Sequence, residues 1–397
     1  MARSTRTPLV TFGPVEAPVL RQIEACQRIE DASPAVLCAD NHLGYSMPIG
    51  GVVGYESHVS PSAVGYDIAC GNCAVRTDVQ ANAIDRVAVI NDIWRVLSFG
   101  MGRKNAEPVE HAVLDEIAEC THPVQRGLAK LAADQLGTIG GGNHYVDLFE
   151  DEADGTLWIG VHFGSRGFGH KTATWALEQA GAKSDDMHAP PAVMRVGTEL
   201  AELYIDGMER AGRYAYAGRD WVIDRVLRLI GASATDRVHN HHNFAWRERH
   251  GRRTYWVHRK GATPAFPGQR GFVGGTMGEP AVILEGRDVP RAEEALFSTV
   301  HGAGRVMSRT KAAGKFRGWG RQRRQVSPGV VNFPEWQRRL AAEGIELRGG
   351  GADEAPECYK RLSEVLAYHG NTVRILHTLR PIGVAMAGSE EYDPFRD

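Results

Sequence analysis

The sequence lacks an apolar run long enough to cross a bilayer, and it lacks an excess of charge of either sign. It has 46 Lys and Arg against 48 Asp and Glu, which gives a formal net charge of −2. No global basic field therefore indicates a nucleic-acid partner, and any surface of that kind must be local. The first residues carry charges without a following apolar core, so we expect no secretory signal. These absences predict a cytoplasmic protein with no membrane partner.

Several motifs with a known catalytic mechanism are missing as well. There is no HExxH, which excludes the zinc-protease helix. Neither GxxxxGK[ST] nor a strand-anchored GxGxxG is present, so a P-loop or Rossmann nucleotide site has no support. The six cysteines form only one Cys-x-x-Cys, at Cys70 and Cys73, and no second pair completes a zinc ribbon. We expect a reduced protein in which one or two cysteines are ligands.

Glycine is abundant, at 46 residues, and it is concentrated in short motifs rather than in linkers. The segment GTIGGGNHYVD at residues 137–147 contains three consecutive glycines, which let the backbone approach a ligand closely. It then supplies an amide, an imidazole and a carboxylate from Asn143, His144 and Asp147. Unless the following strand bends, period-2 alternation predicts that His144 and Val146 share one face and that Asp147 lies on the other. The segment indicates a binding site, and a glycine-rich hairpin with a satisfied histidine is the alternative.

Other side chains suited to metal binding lie in separate parts of the chain. Asp67 and Cys70 are three residues apart in a glycine-bounded segment, and His162 ends an apolar strand. The segment HNHHN at residues 239–243 carries too many polar groups for a core strand. Cys, His and Asp together favour a first-row ion such as zinc or manganese. Taken singly, each has an ordinary alternative, because a lone Cys is more often a small core residue.

A basic stretch from residue 305 to residue 324 interleaves cations with aromatic rings. Cations hold phosphates and aromatic faces stack bases, a combination that suits single-stranded nucleic acid. The alternative is a solvated helix and loop surface. The residues concerned are Arg309, Lys311, Lys315, Phe316, Arg317, Trp319, Arg321, Arg323 and Arg324.

Hydrophobic periodicity predicts a mixed α/β (α+β) chain with central mixed sheets and surrounding helices. The predicted strands are residues 35–39, 144–149, 156–162, 255–263, 281–285 and 372–381. The predicted helices are residues 15–31, 83–97, 124–135, 334–343 and 356–367, with another starting near Val306. Two further helical stretches, 192–212 and 214–230, predict an inserted helical hairpin at about 190–231. Because the motif loops are spread over almost the whole chain, we expect one catalytic domain over residues 1–397.

Taken in order, the motifs resemble those of the RtcB family of RNA-splicing ligases. The resemblance covers about residue 35 to the C-terminus. Its motifs are DNHLGYSMPIG at 40–50, VGYDIACG at 64–71, GGGNH at 140–144, HFGSRGFGH at 162–170, HHN at 241–243, HRKGAT at 258–263, HGAGRVMSR at 301–309 and EAPECYK at 354–360.

The resemblance implies an RtcB-type fold and an RNA ligase that uses GTP and two manganese ions. Such an enzyme joins an RNA 3′-phosphate or 2′,3′-cyclic phosphate to a 5′-hydroxyl, in RNA repair or tRNA splicing. By motif, His301 is the nucleophile that takes GMP and Asp40 orients it. The implied metal ligands are Asp67, Cys70, His144, His162 and His242, with Cys70 bridging as a thiolate. A monomer is the expectation for the family.

The implied nucleotide contacts fall into groups. Asn143 and Asn243 hold phosphate oxygens. The segment Gly302, Ala303 and Gly304 holds the ribose. Asp147 and Tyr359 meet the guanine edge. The other implied nucleotide-binding residues are Gly275, Thr276, Met277 and Met386.

Two positions depart from the family pattern. Met386 stands where the family has a lysine that contacts the guanine, and Ala281 stands where it has a serine that touches the base. Losing two base contacts weakens guanine discrimination by a few kcal/mol unless other groups replace them. The sequence therefore resembles a divergent branch of the family in which the nucleotide base is the open question.

Two alternatives to a ligase follow from the same residues. A metal-dependent RNA phosphoesterase would hydrolyse a 2′,3′-cyclic phosphate without nucleotide transfer, and Met386 keeps that hypothesis open. A catalytically silent RNA-binding protein would keep the basic stretch but should have lost metal ligands, which this chain retains.

Overall fold

The computed structural model describes residues 9–31, 33–182, 187, 189–317 and 324–389. The fold is mixed α/β, as the periodicity predicts, and is built on two large sheets. Trp319, Arg321 and Arg323 of the basic stretch lie outside the described residues.

The smaller of the two sheets has five strands in the order β1-β2-β3-β11-β10. Its strands are β1 (Leu9–Thr11), β2 (Ala35–His42), β3 (Ile49–Tyr55), β10 (Asn243–His250) and β11 (Arg253–Lys260). Apart from the parallel pair β1–β2, neighbouring strands in this sheet run antiparallel.

The larger sheet follows the order β13-β14-β19-β6-β7-β5-β9, and β18 pairs in parallel with β19. Its strands are β5 (Gly71–Gln80), β6 (Tyr145–Asp151), β7 (Thr156–Phe163), β9 (Ala234–His241), β13 (Arg270–Val273), β14 (Ala281–Gly286), β18 (Glu346–Gly350) and β19 (Val373–Gly388). Three two-stranded ribbons complete the described strands: β4 (His58–Val59) with β8 (Met194–Arg195), β12 (Ala262–Pro264) with β15 (Ser298–Val300), and β16 (Gly314–Arg317) with β17 (Arg324–Pro328).

Helices cover the sheets and connect their strands. They are α1 (Ala17–Gln27), α2 (Pro61–Val64), α3 (Arg86–Val96), α4 (Ala112–Glu119), α5 (Ala129–Gln135), α6 (Arg166–Gln179), α7 (Glu199–Ile230), α8 (Pro290–Glu294), α9 (Arg309–Ala313), α10 (Phe333–Ala342) and α11 (Leu362–Ala367). In the described part of the chain, no helix combines the length and the apolar character that a membrane span requires.

Helix α7 corrects the expected helical hairpin. The two helices predicted over 192–212 and 214–230 form one continuous helix of 32 residues. Thr198 caps its start by accepting a hydrogen bond from the Ala201 amide, and Gly231 ends it in the left-handed conformation with φ of 74°. Gly212 does not break the helix; it gives the Phe244 ring room to pack against the backbone. One face of α7 is buried along most of its length, so α7 packs in the core, and its status as an insertion stays a prediction. The assignment of residues 1–397 to one catalytic domain stays a prediction.

Several boundaries also differ from the sequence prediction, and for two of them the structure shows the physical reason. The final strand, predicted over 372–381, continues to Gly388. Proline has no backbone N–H to donate, and the strand tolerates Pro381 because its pairing with β6 shifts register between Pro381 and Gly383. The helix expected near Val306 begins at Arg309, where the Ser308 side chain accepts a hydrogen bond from the Lys311 amide.

The two sheets meet at a single residue. Strand β9 is the last strand of the larger sheet and β10 the last strand of the smaller one, and only His242 separates them in the chain. The His242 amide donates to the Cys70 carbonyl at 2.8 Å, and the Ala69 amide donates to the Asn243 carbonyl at 2.8 Å. The loop that precedes β5 is therefore fastened to the point where the chain passes between the sheets.

The larger sheet offers a test of its packing. A methyl group added at Gly160 in β7 would lie 2.6 Å from the Phe149 ring and 2.8 Å from the Phe272 ring. Both rings are buried, so Gly160→Ala is expected to lower the free energy of unfolding by about 1–3 kcal/mol. The control is Gly127→Ala, since no atom lies within 4 Å of the added methyl there. Chemical denaturation of both variants measures the effect, and equal stability would contradict this account of the packing.

Candidate active site

A pocket of about 430 Å³ opens between the two sheets. That volume is within the range of small-molecule sites. All the site residues expected from the sequence line it except Asp40, which is buried behind His301. The lining residues among them are Asp67, Cys70, Asn143, His144, Asp147, His162, His242, Asn243, Gly275, Thr276, Met277, His301, Gly302, Ala303, Gly304, Tyr359 and Met386.

Five side chains in this pocket form two groups that share the Cys70 sulfur. In one group the ligand atoms of Cys70, His162 and His242 lie within 4.8 Å of one another. In the other, those of Asp67, Cys70 and His144 do the same. Cys70 Sγ is 3.2 Å from His162 Nε2 and 3.6 Å from His144 Nε2, and His144 Nε2 is 3.1 Å from Asp67 Oδ2. Both groups are possible metal-ligand clusters, and Cys70 belongs to each of them.

The alternation predicted for His144 is wrong. His144 and Asp147 both line the pocket, whereas Val146 packs in the core on the other side of the sheet. Strand β6 begins only at Tyr145, so His144 belongs to the preceding glycine turn and is not bound by the two-residue period. The strand itself obeys the rule, because Tyr145 and Asp147 face the pocket together.

The protonation states of His162, His242 and Asp67 suit metal binding, whereas the Cys70 thiol must lose its proton to become a ligand. Burial lowers the pKa of His162 and of His242 well below the usual histidine value, and neighbouring imidazoles lower it further, so both rings are neutral at pH 7. Burial tends to raise the pKa of Asp67, but the hydrogen bond and charge of His144 outweigh it and the pKa is lowered. Burial and then the Asp67 charge raise the pKa of Cys70 well above the usual thiol value. Thiolate, imidazole and carboxylate donors in one site match a first-row divalent ion.

His162 is held in one tautomer. Its Nδ1 lies 2.9 Å from the Asn143 carbonyl oxygen, which only accepts, so Nδ1 carries the proton. Nε2 is then left with its lone pair directed towards Cys70 Sγ. A ligating histidine is commonly fixed through its other nitrogen in this way.

His301 is fixed by a buried carboxylate. Asp40 Oδ2 accepts hydrogen bonds from His301 Nδ1 at 2.6 Å and from the His301 amide at 3.0 Å. Burial tends to raise the pKa of Asp40, but the His301 charge and these hydrogen bonds outweigh it, so the pKa is lowered. With Nδ1 committed to Asp40, Nε2 is the free nitrogen of the ring. The centre of the His301 ring lies 5.0 Å from the centre of the His242 ring, and His242 is one of the possible metal ligands.

Gly304 makes the approach to Asp40 possible. It follows His301 in the turn after β15 and has φ of 79°, which favours glycine. A Cβ atom there would lie 2.2 Å from the Asp40 carbonyl oxygen. The turn therefore lies directly against the backbone of β2, which is what brings Asp40 and His301 together.

One wall of the pocket combines apolar surface with unpartnered polar atoms. Met386 and Met277 pack there in the same apolar cluster as Tyr145. Three buried atoms have no hydrogen-bond partner: Tyr145 Oη, Asp147 Oδ1 and Thr276 Oγ1. Burial raises the pKa of Asp147 well above its usual value. Each unsatisfied buried group costs about 1–3 kcal/mol, and a planar ligand with polar edges recovers such costs.

Ala281, the second departure from the family pattern, is buried in that apolar cluster and is absent from the pocket lining. Its methyl group fills space in strand β14 without meeting the cavity. Met386, in contrast, lines the pocket directly. Of the two departures, the methionine is the one that bears on a ligand.

Tyr359 is oriented by an ionic network. Its hydroxyl donates to Glu354 and accepts from Arg305 Nη2 at 2.9 Å. Arg305 Nη2 is 3.0 Å from Glu354 Oε1, and Arg309 also pairs with that carboxylate. Burial tends to raise the pKa of Glu354, but the two guanidinium charges outweigh it and the pKa is lowered. The ring of Tyr359 is thus fixed where it lines the pocket.

Arg219 is a positioning residue that none of the sequence motifs indicated. It is fully buried on α7 and donates to the Ala69 carbonyl at 3.0 Å and to the Phe163 carbonyl, the residues next to Cys70 and His162. Ala69 has φ of 60°, an unfavourable conformation for alanine that this hydrogen bond helps to hold. The one sequence signal that could have identified Arg219 is an arginine at a position that helical periodicity assigns to the buried face of α7.

A third group of possible ligands, Cys73, Asp220 and His239, does not suit a metal. Arg219 Nε donates to His239 Nε2 at 2.7 Å, so in the neutral ring the proton lies on Nδ1. Neither nitrogen then offers a free lone pair. Asp220 is already paired with Arg237, and burial raises the pKa of Cys73 to about 12. These residues support the sheet behind the pocket.

Known proteins that resemble this chain carry one family name. The family model described as tRNA-splicing ligase RtcB matches residues 22–131 and 118–387. The chain is 31% identical to the tRNA-splicing ligase RtcB of Archaeoglobus fulgidus, over 88% of this chain and 87% of that protein. It is 29% identical to the RNA-splicing ligase RtcB of Escherichia coli K12, over 86% and 87% respectively. It is 30% identical to the tRNA-splicing ligase RtcB of Pyrobaculum aerophilum, over 88% and 87%.

The shared sulfur generates a spectroscopic prediction. Loading with Co²⁺ is expected to give a near-ultraviolet sulfur-to-cobalt charge-transfer band, because a thiolate is a soft ligand for such ions. Cys70→Ser is expected to abolish the band. The control is Cys73→Ser, since Cys73 is buried in the core behind the sheet and should leave the band unchanged. A band that survives in the Cys70 variant would contradict the proposed ligand set.

The pH dependence of metal binding follows from the Cys70 thiol. Its raised pKa means that the thiol is protonated at neutral pH, so binding an ion must release that proton. The apparent Kd for Co²⁺ is therefore expected to fall as pH rises from about 7 to 9, by up to about tenfold per unit. His162 and His242, whose pKa values are lowered, are neutral over this pH range and do not contribute to the change of the apparent Kd with pH. Co²⁺ titrations at several pH values measure the apparent Kd. A Kd that does not change with pH in the unmodified protein would contradict the release of a proton from Cys70 on metal binding.

Proposed function

This chain belongs to the RtcB family and is an enzyme of the RNA ligase class, and we propose that it works through a guanylated His301. It joins RNA 3′-phosphate or 2′,3′-cyclic phosphate ends to 5′-hydroxyl ends, with GTP and manganese. The observation that carries the proposal is the position of His301. His301 lines the same pocket as the two groups of possible ligands that share Cys70, and its Nδ1 is held by Asp40, which leaves Nε2 free.

The first step forms a bond between His301 Nε2 and the α-phosphorus of GTP. The bond from that phosphorus to the bridging oxygen breaks, and pyrophosphate leaves with the electron pair. Because Nδ1 keeps its proton, the substituted ring carries a positive charge. The Asp40 carboxylate, 2.6 Å from Nδ1, stabilises that charge and holds the ring in place.

Two Mn²⁺ ions fit the donor set already described. Asp67, Cys70 and His144 would hold one, and Cys70, His162 and His242 the other. Bound there, such ions would neutralise phosphate charge and so favour attack by His301 Nε2.

The nucleotide is expected to extend from His301 across the pocket. Asn143 and Asn243 line the region beside the ligand cluster and are suited to phosphate oxygens. Gly302, Ala303 and Gly304 offer backbone to the ribose. The base is then expected at the wall with the unpartnered polar atoms, near Asp147, Thr276 and Met386.

In the later steps a 2′,3′-cyclic phosphate is first opened by water to a 3′-phosphate and a 2′-hydroxyl. An oxygen of the 3′-phosphate then attacks the phosphorus held on His301, the bond from that phosphorus to Nε2 breaks, and the GMP passes to the RNA. The RNA 5′-hydroxyl then attacks the activated 3′-phosphate, and GMP leaves. The covalent intermediate divides one difficult condensation into easier displacements. We propose that the protein acts as a monomer in the cytoplasm, in RNA repair or tRNA splicing.

Labelling tests the covalent step. With GTP or ATP labelled at the α-phosphate and Mn²⁺, the unmodified protein is expected to retain label on a denaturing gel and His301→Ala to retain none. Asp40→Asn should slow labelling by about 10- to 100-fold, since it weakens the orientation of the ring. His111→Ala, an exposed histidine outside the pocket, serves as the control and should label normally.

The second candidate function is a metal-dependent RNA phosphoesterase. The observation that favours it is Met386, which lines the pocket without the cation that the family pattern has there. This function predicts hydrolysis of a 2′,3′-cyclic phosphate by the unmodified protein and by His301→Ala, with no label from either nucleotide. That result would replace the ligase proposal.

A further inference from the structure

The basic hairpin, which we define as strands β16 and β17, carries charges that the pocket chemistry does not use. Its described cations Lys315, Arg317 and Arg324 are all exposed, and none is within 4 Å of a carboxylate in the described chain. Glu294 and Glu335 are the acidic residues on either side, and the sequence between them has no Asp or Glu. A chain with net charge −2 has therefore concentrated positive charge in one segment.

The pairing of the hairpin places like charges together. Arg317 and Arg324 are direct partners across the two strands. Side chains in such positions are about 5 Å apart at Cβ, and like charges there destabilise a hairpin. No acidic side chain in the described residues offsets this repulsion at either arginine. A bound polyanion would offset it, which makes the arrangement typical of a surface for phosphates.

The hairpin is joined firmly to the wall of the pocket. Helix α9, which directly precedes β16, begins at Arg309, which lines the pocket and pairs with Glu354. Strand β17 and the residues after it form hydrogen bonds with α9. Gln325 Nε2 donates to the Ala313 carbonyl at 3.0 Å, and the Val330 amide donates to the Lys311 carbonyl at 3.1 Å. Since α9 has five residues and rises by about 1.5 Å per residue, the hairpin starts roughly 7 Å along the chain from the pocket wall.

We propose that the basic hairpin binds the phosphate backbone of a single-stranded RNA segment next to the end that enters the pocket. The inference rests on the proposed function for the identity of the polyanion. Phe316, 39% exposed and lying between two of the cations in sequence, adds an aromatic surface of the kind that stacks bases. Contacts of this kind are to phosphates and base faces, so binding should not depend on RNA sequence.

The test compares two triple variants with the same change of charge. The first is Lys315→Gln, Arg317→Gln and Arg324→Gln. The control is Arg126→Gln, Lys171→Gln and Arg228→Gln, three exposed cations outside the pocket and without an ion pair in the described residues. Fluorescence anisotropy measures binding of a labelled single-stranded RNA with a 3′-phosphate over a series of salt concentrations, in the full chain.

Each lost phosphate contact on a single strand reduces the slope of log K against log salt by about 0.7. The hairpin variant is therefore expected to show a slope smaller by about 2 and a weaker Kd for RNAs of different sequence. The control should keep the slope of the unmodified protein. Labelling of His301 by GTP needs no RNA and should be unchanged in both variants.

The proposal is overturned if the hairpin variant keeps the full slope, or if the control loses as much. Hairpin-dependent binding to phosphatidylserine vesicles with an unchanged RNA slope would also overturn it and assign the surface to a membrane. Failure of the unmodified protein to label would refute the proposed function alone, because the binding measurement requires no chemistry.

Discussion

The hydrogen bond from the His242 amide to the Cys70 carbonyl is the constraint on which the site depends. It ties the loop before β5 to the residue where the chain passes from one large sheet to the other. Cys70 contributes to both groups of possible ligands, and His242 lies against the His301 ring. A shift of either sheet would therefore change the ligand spacing and the position of the nucleophile together, which couples the packing of the fold to the chemistry.

The charged side chains buried around the pocket need hydrogen-bond partners, and those hydrogen bonds also hold the site residues in place. Asp40 and Arg219 are fully buried, and an uncompensated buried charge costs several kcal/mol. Asp40 is offset by His301, and Arg219 by four acceptors, two of them the carbonyls that shape the ligand loop. Three of the buried groups left unpartnered, Tyr145 Oη, Asp147 Oδ1 and Thr276 Oγ1, belong to residues that line the pocket, where a ligand would supply the missing contacts.

Much of the site could be predicted before the structure. The motifs indicated the RtcB family, and the family model and the relatives confirm it. The strand ending at His162 and the glycine turn at His144 were also predicted, because their signals are local. Arg219 was not, because nothing within the sequence of α7 records that it reaches the carbonyls beside Cys70 and His162. Helix α7 was divided in two because Gly212 is a weak helix former, and its packing against Phe244 is a tertiary contact.

By itself, the sequence determined the mixed α/β class, the family, and the identity of the side chains available for chemistry. These follow from periodicity and from residue types at fixed spacing, which depend on near neighbours in the chain. Only the tertiary structure decided that Asp40 meets His301 across 261 positions, that one sulfur serves two groups of ligands, and that Cys73 serves none. Those outcomes depend on the order of strands in two sheets and on which hydrogen-bond partner each imidazole nitrogen finds, and neither is encoded in a local pattern.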